Sequence, residues 1–262
     1  MKHAAHKSAK PSHYDKESKH YDSFTEENSK KINRTIEKAL KQHKVKSVLD
    51  LTCGTGSQVF WLAKRGFKAA GYDINSKMLT IARSKTKKEK LDIKFQKGDM
   101  RTTKVGKFDA VITIFNAIGH LTKKDFEKAI RNIHANLNDK GIYIFDIFNL
   151  NYLLNGDNIT KFTIDVQKKS GKVTAREIQY STITYDGIMA SYDVYHEQTG
   201  NGKPKISTAF QTLQVYNAKQ LKEMLKRNGF KVLQQCNIDG SRYDNIKSDR
   251  IFIIAKKRPE KK

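Results

Sequence analysis

The stretch Val48-Leu49-Asp50-Leu51-Thr52-Cys53-Gly54-Thr55-Gly56-Ser57 constrains this chain more than any other. Val48 to Leu51 reads as a short buried strand. Two glycines then allow a tight turn, and Val59, Phe60, Leu62 and Ala63 open a helical pattern. Strand, glycine turn and helix in that order make a ligand site. The turn carries no side chains that would block approach, and the helix start offers free N–H groups.

The following segments extend the pattern. A second strand, Lys68 to Tyr72, ends in Asp73, about 20 residues past the turn, where an acidic side chain accepts hydrogen bonds from ribose hydroxyls. A third apolar run, Ile93 to Phe95, leads to Gly98-Asp99-Met100. A fourth, Phe108 to Ile114, leads to Phe115-Asn116-Ala117-Ile118-Gly119-His120-Leu121. Four strands thus end in polar or glycine residues at one edge, the edge at which open α/β sheets bind ligands.

Together these motifs resemble the class I S-adenosylmethionine-dependent methyltransferases. The first family motif matches Asp50 to Gly56, the second Asp73, the third Gly98-Asp99-Met100, and the fourth Phe108-Asp109 running into Phe115 to Leu121. Thr52 stands where many members have glycine. A nicotinamide dinucleotide site would want a third glycine for close helix packing, and that position is Val59. The resemblance implies an α/β fold: a Rossmann-like, doubly wound seven-stranded sheet with an antiparallel last strand. It also implies S-adenosylmethionine as cofactor and S-adenosylhomocysteine as product.

The length of 262 residues suits one such domain with an elaboration. No apolar run approaches a membrane span, and the lysine- and histidine-rich start lacks the apolar centre of a signal peptide. Two distant cysteines, Cys53 and Cys236, give neither a disulfide framework nor zinc spacing. No metal is expected, and a cytoplasmic location is. The net charge of +24 raises a nucleic-acid partner, but lysine is spread over the whole chain and arginine is sparse, which favours a generally solvated surface.

In chain order, residues 1–24 are expected to form a mobile tail to about residue 12 and then a covering segment. There Tyr14-Asp15 and Tyr21-Asp22, seven residues apart, would share one helical face. Residues 25–150 form the cofactor-binding core. Its expected elements include a helix from Glu26 to His43, a helix from Ser76 to Lys88 with Ser76 as N-cap, and a doubly buried strand from Gly141 to Phe148. Residues 151–216 change to period two, with turn signals at Ser170-Gly171, Asp186-Gly187 and Gly200-Asn201-Gly202. They read as about four antiparallel strands inserted as a lid or dimer surface. Tyr180, Tyr185, Tyr192, Tyr195 and His196 would offer an aromatic face. Residues 217–262 complete the core with a helix and two strands and end in a basic tail from Lys256.

The resemblance carries cofactor contacts to Asp50, Thr52, Cys53, Gly54, Gly56, Asp73, Ile74, Met78, Asp99, Met100, Phe115 and Asn116. Asp99 would meet the adenine amino group. The block Asn116 to Leu121 resembles small-molecule N-methyltransferases acting on aminosugars and on glycine or its methylated relatives. That makes His120 a candidate base, and the resemblance of the N-terminal segment to the family's covering segment, which sets a tyrosine near the methyl group, makes Tyr21 a second catalytic candidate. Tyr14, His120 and Arg242, the last in the loop Asp239 to Tyr243, are the candidate substrate contacts. The expected function is methyl transfer to nitrogen or oxygen of a small molecule by a monomer or homodimer, with no membrane partner. A tRNA methyltransferase and a non-catalytic cofactor-binding protein are the alternatives.

Overall fold

The structure is a computed structural model and describes residues 5–15, 18, 21–155 and 162–259. Its centre is a seven-stranded sheet in the order β10-β11-β5-β4-β1-β2-β3. The parallel part comprises β1 (Ser47–Asp50), β2 (Lys68–Asp73), β3 (Lys94–Lys97), β4 (Phe108–Thr113) and β5 (Leu137–Phe148). β11 (Arg250–Lys257) runs antiparallel to both β5 and β10 (Phe230–Cys236), the inversion expected for the last strand.

Alternation along the strands feeds two cores. Ile142 and Ile144 of β5 join Val48, Ala110 and Ile112 under helix α1 (Tyr21–Gln42), which contributes Ile32, Ile36, Ala39 and Leu40. Tyr143, Phe145 and Ile147 point the other way, onto Phe126, Ile130 and Ile133 of α4 (Lys123–Asn136) and Leu221 and Leu225 of α6 (Ala218–Arg227). A strand covered on both faces must be apolar at every position, which is why β5 reads as a continuous run. The exception is Asp146, fully buried, whose Oδ2 meets Arg250 Nη1 at 2.6 Å and whose Oδ1 accepts the Phe115 N–H at 2.6 Å.

β1 lies between β2 and β4, so the chain winds outward from β1 in both directions. The crevice at this reversal opens at the carboxyl ends of β1 and β4. Helices α2 (Ser57–Ala63) and α3 (Ser76–Glu89) start from this edge. Asn75, not Ser76, caps α3, because its Oδ1 accepts the Met78 N–H at 2.9 Å.

The insert is a separate four-stranded antiparallel sheet, β6 (Phe162–Ser170), β7 (Val173–Ile183), β8 (Ile188–Thr199) and β9 (Lys205–Gln214), paired in chain order. It follows the short helix α5 (Leu150–Leu153). Ile183, Met189 and Leu213 anchor it on Leu150, Leu153 and Val215. A one-turn helix, Ala117–His120, meets β9, and a Cβ at Gly119 would lie 3.2 Å from the Gln214 carbonyl oxygen. Glycine at 119 therefore lets the lid approach.

Several expectations need correction. Residues 5–12 are held by defined contacts to the core, described below. Helix α1 begins at Tyr21, whereas Tyr14 lies in the turn 11–15, so the two tyrosines share no helical face. Lys256 and Lys257 belong to β11, and Lys257 is buried. Along β7 and β8 the insert faces the core with its odd-numbered residues: Gln179, Ser181, Ser191 and Asp193 are buried, while Tyr180 and Tyr192 are exposed, as is Tyr185 in the turn between the two strands. Beyond the apolar anchor of Ile183, Met189 and Leu213, the buried positions are polar; Tyr195 lines the inner cavity, and Tyr180 and Tyr192 look outward. The onset of the insert's pattern at Ile159 lies outside the described residues.

The buried Asp146–Arg250 pair yields a stability test. Removing one partner of such a pair costs about 3–5 kcal/mol, because the other is left charged and uncompensated. Arg250→Met is expected to lower the urea-derived unfolding free energy by about 3 kcal/mol, and Asp146→Asn in the same chain to recover part of it. A loss under about 1 kcal/mol would show that the pair contributes no more than a surface one.

Candidate active site

The glycine turn is shaped by backbone conformation. Gly54 (φ 51°) and Gly56 (φ 93°) both take left-handed backbone, which side-chain-bearing residues adopt at a cost. Their surroundings differ. A Cβ at Gly54 would meet nothing within 4 Å and would project into the crevice. A Cβ at Gly56 would strike the rings of Phe60 and Phe95 at 2.7 and 2.8 Å. Gly54 therefore keeps the cavity open, and Gly56 lets the turn pack on the core.

Asp73, at the tip of β2, ties this turn to the next. Its Oδ2 accepts the Gly54 N–H and its Oδ1 the Asn75 N–H, both at 2.8 Å. A carboxylate has about four acceptor sites, so capacity for a ligand remains beyond these backbone donors. Burial raises the Asp73 pKa against the pull of these backbone donors. Asp50 lies behind the turn. Its Oδ1 accepts the Thr52 N–H at 3.0 Å, whereas its Oδ2, like the hydroxyl of Thr52, is buried with no partner among the described residues. Burial pushes the Asp50 carboxyl up to about 8. Such orphaned atoms, beside an open glycine and a carboxylate with spare acceptor sites, fit a ligand that brings its own ammonium and vicinal hydroxyls. S-adenosylmethionine is such a ligand.

One cavity collects these groups. Leu51, Thr52, Gly54, Asp73, Ile74, Asn75, Met78, Gly98, Asp99, Met100, Ile114 and Phe115 line it from the sheet edge. Asp99 is already engaged. Its Oδ1 accepts Arg101 N and Nε at 2.8 and 2.9 Å, and its Oδ2 accepts Nε and Nη2 at 3.0 and 2.6 Å. Burial would raise its pKa, but the Arg101 hydrogen bonds bring it below the usual carboxylate range. Three Arg101 N–H groups thus engage the Asp99 carboxylate, which fixes the loop that presents Met100.

The N-terminal segment closes this cavity. Ala9 N donates to His120 O (2.8 Å), Ser8 Oγ to Asp125 Oδ2 (2.6 Å), and Asn75 Nδ2 to Pro11 O (2.8 Å). The His6 ring lies 3.0 Å from Leu121 O and 2.9 Å from Thr212 Oγ1 of the lid. Ala9, Lys10, Pro11, His13 and Tyr14 thereby roof the cofactor cavity. Tyr14 Oη lies 2.6 Å from His120 Nε2, and the rings of His13, Tyr14 and His120 are mutual neighbours, with centroids 4.8–5.4 Å apart. His120 Nδ1 is buried without a partner among the described residues. Burial pushes the His120 pKa down to about 3, so the ring is neutral at physiological pH.

A second cavity, of about 1210 Å³, lies between this segment and the lid. Glu177, Asp193, Tyr195, Ser207 and Gln211 line it from the lid, and Ser12, His13, Tyr14, Asp15 and Tyr21 from the other side. His13, Tyr14 and Tyr21 line both cavities. Tyr21 is half-buried at the junction, and desolvation together with the charge of Asp73 raises its pKa.

Most of the site residues expected from sequence meet here: Thr52, Gly54, Asp73, Ile74, Met78, Asp99, Met100, Phe115, Tyr14, Tyr21 and His120 all line the cofactor cavity. Five do not. Asp50 acts from behind the turn. Cys53 turns its side chain into the core. Gly56 is a packing glycine. Asn116, at φ 57°, spends its Oδ1 on the Phe148 N–H at 2.9 Å. Arg242 is exposed and lines neither cavity. His13, Asn75 and Arg101 escaped the sequence reading. Only Asn75 left a signal there, as a cap-forming residue one position before the expected helix start.

Residues 48–141 match the methyltransferase domain family. A methyltransferase candidate of Geobacillus sp. (strain WCH70) is 27% identical over 232 residues, 85% of this chain and 90% of that one. A glycine/sarcosine N-methyltransferase of Parasynechococcus marenigrum (strain WH8102) is 35% identical over 130 residues, 47% of this chain and 45% of the relative. The crystal structure of an S-adenosylmethionine-dependent methyltransferase from Clostridium acetobutylicum ATCC 824 has the same fold, with a TM-score of 0.78 at 18% identity, covering 94% of this chain and 99% of that one. No helix among the described residues is long and apolar enough to cross a membrane. With its seven-stranded sheet, glycine turn and Asp73, the chain has the class I S-adenosylmethionine-dependent methyltransferase fold, built around a methyltransferase domain at residues 48–141.

Proposed function

We propose that this enzyme methylates a nitrogen of a small molecule held between the lid and the N-terminal segment. The observation that carries the reading is the junction: two cavities, one on the glycine turn and one under the lid, share His13, Tyr14 and Tyr21. The similarity to a glycine/sarcosine N-methyltransferase favours nitrogen over oxygen.

When bound, the cofactor supplies a methyl group already activated by a positive sulfur. The protein's work is then mainly alignment, which can contribute roughly 7–11 kcal/mol. Asp73 would hold the ribose hydroxyls with its remaining acceptor capacity, and the Gly54 turn, steadied from behind by Asp50, would meet the amino acid end. Ile74, Met78 and Met100 would enclose the base. Tyr14 and Tyr21 would fix the acceptor at the junction. His120, neutral and hydrogen-bonded to Tyr14, holds that tyrosine in place. Its depressed basicity makes it a poor proton acceptor.

Three outcomes are expected. Asp73→Ala should weaken S-adenosylhomocysteine binding, measured by calorimetry, by about 30-fold or more, because it removes charged hydrogen bonds and loosens the Gly54 turn; unchanged affinity would displace the cofactor site. Labelled S-adenosylmethionine with fractionated host extract should give label in the small-molecule fraction, insensitive to RNase. Label in a large RNase-sensitive fraction would favour an RNA acceptor. Finally, His120 has a folded-state pKa below its unfolded value of 6.5, so its stability contribution is present above pH 6.5 and is lost as pH falls toward 3. His120→Gln should therefore flatten the fall in unfolding free energy between pH 6.5 and 4. An unchanged slope would mean that the ring titrates freely.

A further inference from the structure

The lid contains a hydrogen-bonded row aimed at the junction of the two cavities. On its inner face Asp193 is 1% exposed. Gln179 Nε2 donates to its Oδ1 at 2.8 Å, and Gln211 Nε2 to its Oδ2 at 3.2 Å. The other end of the Gln211 amide, Oε1, lies 3.2 Å from His13 Nε2. His13 lines both cavities.

Donor and acceptor rules propagate along this row. A carboxylate only accepts, so Asp193 compels Gln211 to present its NH₂ inward and its carbonyl oxygen to His13. A carbonyl oxygen also only accepts, so the proton of a neutral His13 must sit on Nε2. Nδ1 then carries the lone pair. A buried carboxylate thus sets an amide, the amide sets a tautomer, and the tautomer selects the basic nitrogen. A carboxylate touching a catalytic histidine directly performs the same task in hydrolytic triads.

We infer that His13 is the proton acceptor of the transfer, through Nδ1, and that Gln211 and Asp193 are positioning residues that fix its tautomer. The inference rests on the proposed transfer to a protic acceptor atom. That atom gives its lone pair to the incoming methyl carbon, the carbon–sulfur pair stays on sulfur, and the proton lost from the acceptor goes to His13 Nδ1. The resulting imidazolium faces Asp193 across Gln211. The titratable groups beside the ring are Tyr14 and His120, at 4.8 and 4.9 Å between centroids; the same cavity also carries Asp15 and Tyr21 and, from the insert, Arg176, Glu177, Tyr195, His196, Glu197 and Lys205. His120 is less suited to the task, since Tyr14 occupies its Nε2 and its burial is deeper. Burial holds the His13 pKa below its ordinary value, against the opposing pull of Gln211 and Asp193.

The direct test is the tautomer, read in the free protein from the ¹⁵N shifts of labelled histidines at pH 8, with the His13 signals assigned by their loss in His13→Gln. Wild type should show protonated Nε2 and bare Nδ1. Asp193→Asn and, should that variant fold poorly, Gln211→Leu should shift His13 toward a mixture. With the small-molecule extract fraction as acceptor, His13→Gln should lower the rate by about 10²-fold or more. A wild-type Nδ1–H tautomer, an unmoved tautomer in both lid variants, or a rate loss under about threefold would overturn the inference. If wild type binds no S-adenosylhomocysteine, the methyltransferase reading fails separately, and the tautomer result still judges the row.

Discussion

The hydrogen bond from Gly54 N to Asp73 Oδ2, 2.8 Å long, joins the tips of β1 and β2, and the geometry of the site depends on it. It holds a left-handed glycine open to the crevice and orients a carboxylate beside it. The same carboxylate takes the Asn75 N–H, and Asn75 in turn caps α3 and donates to Pro11 and Asp15 of the N-terminal segment. One half-buried acid thus links the turn, the next helix and the roof of the cavity. A charged acceptor with several donors is costly to rearrange, which suits a site whose contribution is alignment.

On the opposite side of the crevice, Asp146 has the corresponding task. It holds the backbone at Phe115, which like Asn116 is a non-glycine residue in left-handed conformation, and Arg250 balances its charge. Two strained residues at the tip of β4 persist because Asp146 and the Asn116–Phe148 contact determine them from both sides. The lid and the N-terminal segment then enclose what the sheet edge offers. Asp22, at the start of α1, pairs with Lys85 at 2.5 Å and accepts from the Thr55 hydroxyl, which fastens that helix to the glycine turn.

How much of this was legible depends on the physics of each part. The sheet was readable because strands buried on both faces must be apolar throughout, and the cofactor edge because Gly54 and Asp73 perform backbone-level tasks that few residue types can do. The lid's strands and turns were readable, but its orientation was not. Tyrosines occur at even and odd positions, Tyr180 and Tyr192 outside and Tyr195 inside, so hydrophobicity alone could not fix which face turns inward. His13 was hidden in a lysine- and histidine-rich stretch that resembles a solvated tail. Its role arises from Gln211, nearly 200 residues away, and no local pattern encodes such a contact. Arg242 erred in the other direction, since its loop turns away from both cavities.

The central claim is that the turn 50–56, Asp73 to Met78, the loop at Asp99 and residues 9–14 enclose a single cofactor. Hydrogen exchange with and without S-adenosylhomocysteine tests it most directly. The account requires slower exchange in all four segments together on binding, with residues 9–14 gaining protection alongside the glycine turn. Protection confined to the sheet edge, with residues 9–14 exchanging as in the free protein, would contradict it and remove the N-terminal segment from the site.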